Sequence, residues 1–525
     1  MISSKTMHQP SSVIQSLCKE EIIKKLISGM LFAAVLTVVL AMTCFAGTWQ
    51  QNEKGRWWDN GDGTWPAACW QWCDGDGDGT AECYYFDKNG YVVTNGKTPD
   101  GYTVDQNGAW TENGEVQTKL LIVYTKDRIV MLSRHNIRSP LSDGDSLLGK
   151  VTPHEWFAWT SPAGELSVKG GQLETAMGQY FREKMEAEGF IPENWIPENG
   201  QVRFYTNSLQ RTIATGRYFA TGLLPMADVK IEHKNAVGEM DKTFAPFVLW
   251  TNPQLEAVEM AEIREFLGTD VKTCLTSYTK ELNKLEEILD FKDSAYAKEN
   301  GVSHLPTDDT YVGFKAGEEV ILTGGLSTVN SIVDALKLQI YEEPDMNKAL
   351  FGHKATYEAL RSLTRTADAY QKLRTGTHTL AACTAYPMLK VVQSELTAKG
   401  RKFTFLGGHD STLMSVLAAL DVETYELPDS ISMKTPIGGK AVFEVFTGSD
   451  GVSYAKVIYY YASFDELRNG TTLSLDIPPK TYELSFRGLQ KNADGYYRFD
   501  DLMARFNETC AIHDYYYALC EDEAA

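Results

Sequence analysis

The sequence predicts an α/β protein that carries a small module of β-hairpins ahead of its main domain. Two apolar runs, 128–132 and 403–406, have the length of buried strands, and helical periodicity appears at 172–188 and 357–373. Strands that alternate with helices in this way are typical of a sheet covered by helices. The chain of 525 residues is too long for one ordinary domain.

The composition fits a folded, acidic protein. Apolar residues make up 43% of the chain and charged residues 23%, as in ordinary globular proteins. The formal net charge is -20, from 50 basic and 70 acidic residues, which argues against a nucleic-acid binder because such proteins carry a basic face. An anionic substrate therefore needs a local basic pocket, because the overall field repels it.

The N-terminus has the pattern of an export signal. Lys24 and Lys25 precede an uncharged apolar run that ends in small residues at Ala46, so we expect a signal peptide over residues 1–46. The alternatives are an uncleaved membrane anchor, because the run is nearly long enough to span a bilayer, and lipid attachment at Cys44. All three predict a secreted or cell-surface protein, which contacts a membrane only if this segment stays uncleaved.

Cysteine usage fits the same setting. Seven of the nine cysteines lie beyond the signal segment, and an exported protein can form disulfide bonds. The odd number leaves at least one thiol unpaired within the chain, and the sequence alone does not give the pairing. Cys510 with Cys520 is the pair that we expect.

Residues 47–118 hold seven of the 11 tryptophans, together with repeated Gly-Asp and Asn-Gly turns. Short aromatic strands between such turns predict small β-hairpins. The segment 84–91 resembles one unit of the cell-wall-binding repeats of Gram-positive surface proteins, in which aromatic hairpins bind choline or glucan. This resemblance implies a carbohydrate or cell-wall polymer as the partner of the module.

An acidic segment at 74–79 has aspartate at every second position, like the start of a calcium loop. The twelfth position counted from Asp74 is Tyr85 rather than glutamate, so the loop is incomplete. A turn rich in glycine and aspartate is the favoured interpretation, and we predict no metal site there.

We expect residues 119–525 to form one long α/β domain with a helical insertion at about 255–375. Chemically active residues follow both predicted strands of this domain. The first strand runs into Arg134, His135 and Arg138. The second runs into His409 and Asp410, where a helix begins. In open α/β sheets, ligands lie beyond the carboxyl ends of the strands, so neighbouring strands would bring these side chains into one pocket.

Such a pocket suits a phosphate ester. Arginines present planar, permanently charged forks that match phosphate oxygens. A histidine between two arginines is a poor metal ligand, because their charges repel a cation, but it suits nucleophilic attack on phosphorus. Asp410 is the candidate general acid for the leaving alkoxide, with helix N-cap as its alternative role. Arg211 is a further candidate phosphate ligand, and we predict no cofactor and no catalytic metal.

His135 itself could be structural, but its place between two arginines after a buried strand favours catalysis. The remaining histidines show no metal-binding spacing such as HExxH, and we expect them to be structural. They are His154, His233, His304, His353, His378 and His513.

The pattern Arg134-His135-x-x-Arg138-x-Pro140, together with His409-Asp410, resembles the histidine acid phosphatases, in the branch that holds bacterial glucose-1-phosphatases and phytases. The resemblance extends over most of 119–510. It implies a phosphoglycerate-mutase-like sheet flanked by helices, with a helical subdomain. It also implies His135 as nucleophile, Asp410 as proton donor, and a phosphate clamp of Arg134, Arg138, Arg211 and His409.

Departures from the phytase pattern bear on the substrate. Asn136 replaces the glycine common in phytases, and Leu141 and Ser142 stand where phytases often place Thr-Lys. These differences favour a sugar phosphate such as glucose 1-phosphate, with an inositol polyphosphate as the alternative. By the same resemblance, Glu319 is implied to narrow the substrate pocket.

Two other classes of function stay open on the sequence. One is a mutase-like phosphotransferase that uses the same phosphohistidine, which export disfavours because its usual metabolites are cytosolic. The other is a surface protein without catalysis that only binds phosphate or the cell wall.

Overall fold

The computed structural model describes residues 47–141 and 147–524, and the expected signal segment lies outside them. The described chain falls into two compact units. The first ends at Tyr124 and also includes Gly448–Asp450, and the second holds the rest. Within the described residues, no helix combines the length and apolar character that a membrane crossing requires.

The first unit consists of short β-strands, as its aromatic and turn pattern predicts. The strands are β1 (Thr48–Asn52), β2 (Gly55–Asp59), β3 (Cys69–Cys73), β4 (Thr80–Phe86), β5 (Gly96–Lys97), β6 (Thr103–Val104), β7 (Trp110–Glu112), β8 (Glu115–Val116) and β9 (Thr118–Leu120). They form three small antiparallel sheets: β1 with β2, β3-β4-β9, and β5-β6-β7-β8.

Aromatic rings pack the interior of this unit. Trp49 meets Trp58 edge to face with centroids 5.0 Å apart, and the guanidinium of Arg56 lies 3.4 Å from the centroid of Trp49. Trp65, by contrast, is 56% exposed. The unit therefore uses some tryptophans for packing and leaves this one at its surface.

The acidic segment 74–79 forms the turn between β3 and β4. Asp74 accepts hydrogen bonds from the backbone nitrogens of Gly77 and Gly79, at 2.7 and 2.9 Å. Its carboxylate thus stabilises the backbone of its own turn, which agrees with the turn interpretation.

The second unit is built on one eight-stranded mixed sheet. Its strands are β10 (Tyr124–Arg134), β11 (Val202–Thr206), β12 (Ile231–Glu232), β15 (Phe403–Gly408), β16 (Lys440–Gly448), β17 (Ser453–Tyr461), β18 (Lys480–Glu483) and β19 (Tyr497–Arg498). The order is β12-β11-β15-β10-β16-β17-β18, and β19 pairs with β17. Both β10 and β11 run parallel to β15, whereas β16, β17 and β18 pair antiparallel.

Helices cover this sheet, and a largely helical stretch separates β12 from β15. The helices are α1 (Leu147–Lys150), α2 (Val168–Ala187), α3 (Gln210–Leu223), α4 (Pro253–Leu267), α5 (Thr279–Leu289), α6 (Ala295–Asn300), α7 (Gly325–Glu342), α8 (Met346–Ala349), α9 (Tyr357–Leu363), α10 (Arg365–Gln371), α11 (His378–Thr384), α12 (Tyr386–Thr397), α13 (Asp410–Ala419), α14 (Phe464–Asn469) and α15 (Phe499–Ala524). The stretch also contains one β-hairpin, β13 (Tyr311–Gly313) with β14 (Ile321–Thr323), which the helical pattern did not predict.

One predicted helix is interrupted. The pattern at 357–373 predicts a single helix, but α9 ends at Leu363 and α10 begins at Arg365. Between them, the hydroxyl of Thr364 hydrogen-bonds the carbonyl oxygens of Arg361 and Ile431. A threonine hydroxyl that binds backbone carbonyls competes with helix continuation, which accounts for the break.

The central strands are buried on both faces, which explains their continuous apolar sequence. In β10, Ile129 and Met131 pack toward α2 and α3, whereas Val130 and Leu132 pack toward α12, α13 and α15. Successive side chains of a strand point to opposite faces, so one apolar run serves two hydrophobic layers. The ends of β10 and β15 are thereby fixed between these layers.

The expected disulfide between Cys510 and Cys520 is wrong. Both residues lie on the single helix α15, ten positions apart. A helix rises about 1.5 Å per residue, so their Cα atoms are about 15 Å apart. A disulfide bridges Cα atoms that are at most about 7 Å apart. All seven cysteines within the described residues are free thiols.

Candidate active site

The two strands that carry the candidate residues are neighbours in the sheet. β10 and β15 run parallel, with Arg134 paired with Gly408 at their carboxyl ends. His135 therefore lies beside His409, and their ring centroids are 5.5 Å apart. Asp410 begins α13 at the same edge of the sheet. The side chains that follow the two strands in sequence thus meet in one place.

Arg134 and Asp410 form an ion pair in this site. Nη2 of Arg134 lies 2.9 Å from Oδ2 of Asp410, and Nη1 donates to the carbonyl oxygen of Thr435 at 2.5 Å. The arginine is buried, whereas the carboxylate is 24% exposed. The N-cap interpretation of Asp410 is wrong, because His409 is the N-cap and Asp410 is the first residue of the helix.

The ion pair determines the protonation state of Asp410 in the substrate-free protein. Burial acts to raise the pKa of this carboxyl, but the positive charges of Arg134 and Lys337 outweigh burial and hold the pKa below its usual value. Asp410 is therefore a carboxylate before substrate binds. A bound phosphate dianion would neutralise the same cations and raise the pKa, which would favour the protonated form of Asp410.

A second carboxylate holds the second arginine. Nη2 of Arg138 lies 2.9 Å from Oδ2 of Asp334 on α7, and Nζ of Lys337, one turn further along the helix, lies 3.2 Å from Oδ1. Burial acts to raise the pKa of Asp334, but Arg138 and Lys337 hold it well below its usual value. The helical insertion therefore contributes an anion and a cation directly to the site.

Arg211 lies in the first turn of α3 and completes a group of three arginines. Its Nη1 donates to the carbonyl oxygen of Gly164 at 3.3 Å. Burial and the neighbouring arginines lower its pKa to about 10, so it stays charged in acid. The Nε–H groups of Arg134, Arg138 and Arg211 are all buried and have no hydrogen-bond partner in the described part of the chain.

The ring of His135 is oriented by its own backbone. Nδ1 lies 2.8 Å from the carbonyl oxygen of Asn136, which can only accept, so Nδ1 carries a proton. Burial, followed by the positive charges of Arg211 and Arg138, lowers the pKa of His135 well below its usual value. The neutral imidazole has only one N–H, so the lone pair is on Nε2. This nitrogen carries the lone pair that a nucleophile needs, and it stays unprotonated in mild acid.

His409 is held by Asn207, which follows β11. Nδ2 of Asn207 lies 2.8 Å from Nε2 of His409. The amide oxygen of Asn207 accepts from the backbone nitrogens of Ser208 and Asp241, at 2.7 and 3.0 Å, which fixes which side of the amide faces the imidazole. Burial, followed by Arg211, lowers the pKa of His409 well below its usual value, so this ring is also neutral.

A fully buried ion pair supports the backbone around the nucleophile. Nζ of Lys440 lies 2.6 Å from Oε1 of Glu174, and both side chains are completely enclosed. Glu174 also accepts from Nδ2 of Asn136 at 2.9 Å. Gly438 packs against the same amide: its φ is +67°, and a Cβ there would lie 2.6 Å from Nδ2 of Asn136. Asn136 therefore positions the chain next to His135 rather than binding substrate.

Glu319 lies just before β14, where it forms a backbone bridge with Phe247. Its carboxylate makes an ion pair with Arg374. The proposed role of Glu319 in narrowing the pocket stays a prediction.

Sequence reasoning named six of the residues that meet here and missed several others. It predicted no functional role for four others that the structure places here, which are Asp334, Lys337, Asn207 and Glu174. One sequence signal for Asp334 and Lys337 was available. They lie at positions i and i+3 of an otherwise apolar helix, and charged residues on a buried helix need partners of opposite charge.

The comparisons with known proteins agree with this geometry. The histidine phosphatase superfamily (branch 2) matches residues 127–460, and the chain belongs to that family. Within it, the protein is a histidine acid phosphatase, a phosphomonoesterase.

Two curated relatives are similar over most of the chain. Glucose-1-phosphatase of Salmonella typhimurium is 35% identical over 393 residues, which is 72% of this chain and 92% of the relative. Glucose-1-phosphatase of Providencia rettgeri is 34% identical, over 71% of this chain and 89% of the relative. Phytase AppA of Escherichia coli is more distant, at 27% identity over 70% of this chain and 88% of the relative.

Solved structures show the same fold. Hafnia alvei phytase superposes with a TM-score of 0.68 at 24% identity, over 74% of this chain and 97% of that protein. Citrobacter braakii phytase gives a TM-score of 0.67 at 24% identity, over 74% of this chain and 98% of that protein. At this level of identity the likeness concerns the fold alone.

Proposed function

We propose that the protein hydrolyses a small sugar phosphate, such as glucose 1-phosphate, through a phosphohistidine at His135. The observation that carries this proposal is the environment of Nε2 of His135. It bears a lone pair and lies among three buried guanidinium groups, each with an unpartnered Nε–H. A nucleophile surrounded by three guanidinium charges suits attack on a phosphoryl group.

In the first step, Nε2 of His135 forms a bond to phosphorus while the ester P–O bond breaks. Asp410, protonated once the phosphate has neutralised its neighbours, gives its proton to the leaving oxygen. The arginines and His409 stabilise the charge on the equatorial oxygens. In the second step, Asp410 takes a proton from water as the water oxygen attacks phosphorus. The N–P bond breaks, and Asp410 is protonated again, as it was at the start of the first step. When inorganic phosphate leaves, Asp410 loses this proton to solvent and both side chains are as they were in the free protein.

The charge balance of the site favours a single phosphate group. Four cations face two carboxylates, which leaves two positive charges, the complement of one phosphate dianion. The groups are Arg134, Arg138, Arg211 and Lys337 against Asp334 and Asp410. An inositol polyphosphate is the alternative substrate, favoured by the relationship to Phytase AppA. The higher identity to the two glucose-1-phosphatases supports a sugar phosphate.

The decisive experiment is to trap the intermediate. Quenching with alkali and denaturant during turnover of ³²P-labelled substrate should leave acid-labile, alkali-stable label on the protein, and His135→Ala should abolish both the label and turnover of p-nitrophenyl phosphate. Full turnover without labelled protein would refute the nucleophilic role. A protein that binds phosphate without turnover would have to be a binding protein instead.

A substrate panel separates the two substrate classes. We expect kcat/KM for glucose 1-phosphate to exceed that for inositol hexakisphosphate, with p-nitrophenyl phosphate as the common reference. The reverse order would make the protein a phytase. Transfer of the label to a second sugar in place of water would make it a phosphotransferase.

We also propose that the protein is exported and that residues 47–118 bind a cell-wall polymer. The exposed ring of Trp65 supports this proposal, because carbohydrate rings stack on exposed aromatic side chains. Sedimentation of the full chain with purified peptidoglycan should be weakened by Trp65→Ala, while phosphatase activity is unchanged. Equal sedimentation of both proteins would refute this role for Trp65.

A further inference from the structure

Two histidines and an aspartate from distant parts of the second unit meet at one point. Nε2 of His154, after α1, lies 2.7 Å from Oδ2 of Asp290, which follows α5. Nε2 of His353, after α8, lies 3.0 Å from the same oxygen. One ligand atom from each residue lies within 4.8 Å of the other two. None of the three residues belongs to the phosphate clamp or to the ion pairs that hold it.

The three side chains are held in place by the backbone and by aromatic packing. Asp290 has φ +48°, in the left-handed region, so it turns sharply away from the helix it ends. The ring of His154 stacks on Phe351 with centroids 5.1 Å apart and planes 9° from parallel. Trp156 packs against the edge of the same phenylalanine at 5.2 Å. These contacts fix the direction of His154 before any ligand arrives.

The ligand set is that of a transition-metal site. Two imidazole nitrogens and one carboxylate are a common set of zinc ligands, at about 2.0 to 2.2 Å from the metal. A tetrahedral site with such bonds separates its ligand atoms by about 3.3 Å, so the two N···O distances would open by only about half an ångström. The three side chains are 26% to 38% exposed, which leaves room for water to complete the coordination.

The charge of the cluster also favours a cation. The carboxylate of Asp290 lies within hydrogen-bond distance of both imidazole rings. Within the described residues its only ion-pair partners are these two rings. Imidazoles bind metal ions in their neutral form, so as ligands these two rings and the carboxylate have a net charge of -1, which attracts a divalent cation.

We propose that His154, Asp290 and His353 bind one Zn²⁺ ion that cross-links three segments of the second unit. Sequence spacing could not reveal this site, because the ligands lie more than 60 residues apart along the chain. The segment that contains His154 continues to Gly164, whose carbonyl accepts a hydrogen bond from Arg211. The ion would therefore stabilise the folded state at the start of a segment that reaches the phosphate site, without touching substrate.

The test uses the full chain, stripped with a chelator and dialysed against Zn²⁺ in phosphate-free buffer. We expect one zinc ion per chain and a rise in Tm of a few degrees, because a ligand that binds only the folded state stabilises it. His154→Ala and His353→Ala should each weaken zinc binding by at least about 100-fold. Loss of a residue that only hydrogen-bonds to a metal ligand costs up to about 100-fold, and loss of a ligand itself should cost at least as much. Both variants should hydrolyse p-nitrophenyl phosphate at the rate of the parent protein.

His304→Ala is the matched control. His304 also pairs with a carboxylate of α5, since its Nδ1 lies 2.9 Å from Glu286, but this pair is not part of the three-ligand cluster. This variant should keep its zinc and the Tm rise. Equal zinc binding in His154→Ala, His353→Ala and the parent protein would overturn the proposal.

X-ray absorption at the zinc edge of the parent protein tests the ligands without a variant. We expect scattering from two imidazole rings and from oxygen. Sulfur ligands would place the ion at cysteines instead. No bound zinc after dialysis would mean that the three side chains are joined only by hydrogen bonds. Either result would overturn the proposal.

Discussion

Replacing Asp410 with asparagine should separate proton donation from phosphate binding. The amide has the same shape, and its oxygen can still accept the hydrogen bond from Ser411, which is 2.9 Å long in the parent protein. It cannot give a proton to a leaving alkoxide. It also removes one of the two negative charges next to the arginines, so the binding of a phosphate dianion should not weaken.

The magnitude depends on the leaving group. General acid catalysis contributes about 10²- to 10⁴-fold, which corresponds to about 3 to 5 kcal/mol of transition-state stabilisation. For glucose 1-phosphate, whose leaving oxygen needs a proton, kcat/KM should fall by about that factor in Asp410→Asn. For p-nitrophenyl phosphate, whose leaving anion is stable, the fall should be less than about tenfold. We use kcat/KM because it covers only the steps up to the phosphoenzyme.

Asp334→Asn is the matched control for Asp410→Asn. It removes a carboxylate that holds Arg138 at the same distance, 2.9 Å, at which Asp410 holds Arg134. The control therefore changes the charge and loosens an arginine without removing a proton donor. Its effect on kcat/KM should be the same for both substrates.

Equal losses on the two substrates in Asp410→Asn would refute the assignment of Asp410 as the proton donor. So would a leaving-group effect of the same size in Asp334→Asn. In the first case the carboxylate would act only through the position of Arg134, and in the second both carboxylates would act through charge.

Three further results are expected. Folding lowers the pKa of His135 and His409, so below about pH 6.5 the unfolded chain binds more protons than the folded protein. The free energy of unfolding of the substrate-free protein, measured by urea titration, should therefore fall between pH 7 and pH 5. Phosphate binding should raise the pKa of Asp410, so calorimetry at pH 5 in buffers of different ionisation enthalpy should show that the parent protein takes up about one proton more per bound phosphate than Asp410→Asn does. Lys440→Met should lower the free energy of unfolding by about 3 to 5 kcal/mol, measured with denaturant, because it leaves Glu174 buried without its partner.

The parts of the site that follow a strand could be predicted from sequence. A strand buried on both faces is apolar over most of its length, so 128–132 and 403–406, which hold only Arg128 and Thr404 as polar residues, stand out from the chain. The residues directly after such strands are at the carboxyl edge of the sheet whatever the rest of the fold does. This local rule places His135 and His409 at the ends of strands, and their contact requires in addition that β10 and β15 are parallel neighbours.

The parts that depend on the path of the chain could not be predicted in the same way. Asp334 reaches Arg138 only because α7 of the helical insertion passes the edge of the sheet, and no local pattern specifies that crossing. The break at Thr364 depends on a carbonyl 67 residues away, that of Ile431. The expected disulfide between Cys510 and Cys520 was wrong for a local reason. Both residues lie on one continuous helix, which keeps residues ten positions apart too distant to form a bond.

The two carboxylates explain how an acidic protein can keep three arginines buried together. A buried guanidinium without a counter-charge is costly, and Asp410 and Asp334 supply that charge while the site is free. When a phosphate dianion arrives, it takes over the role of counter-ion, and the carboxylates become relatively more basic. In the proposed mechanism Asp410 is beside the ester and can then hold a proton, so binding the substrate would itself create the acid that its cleavage needs.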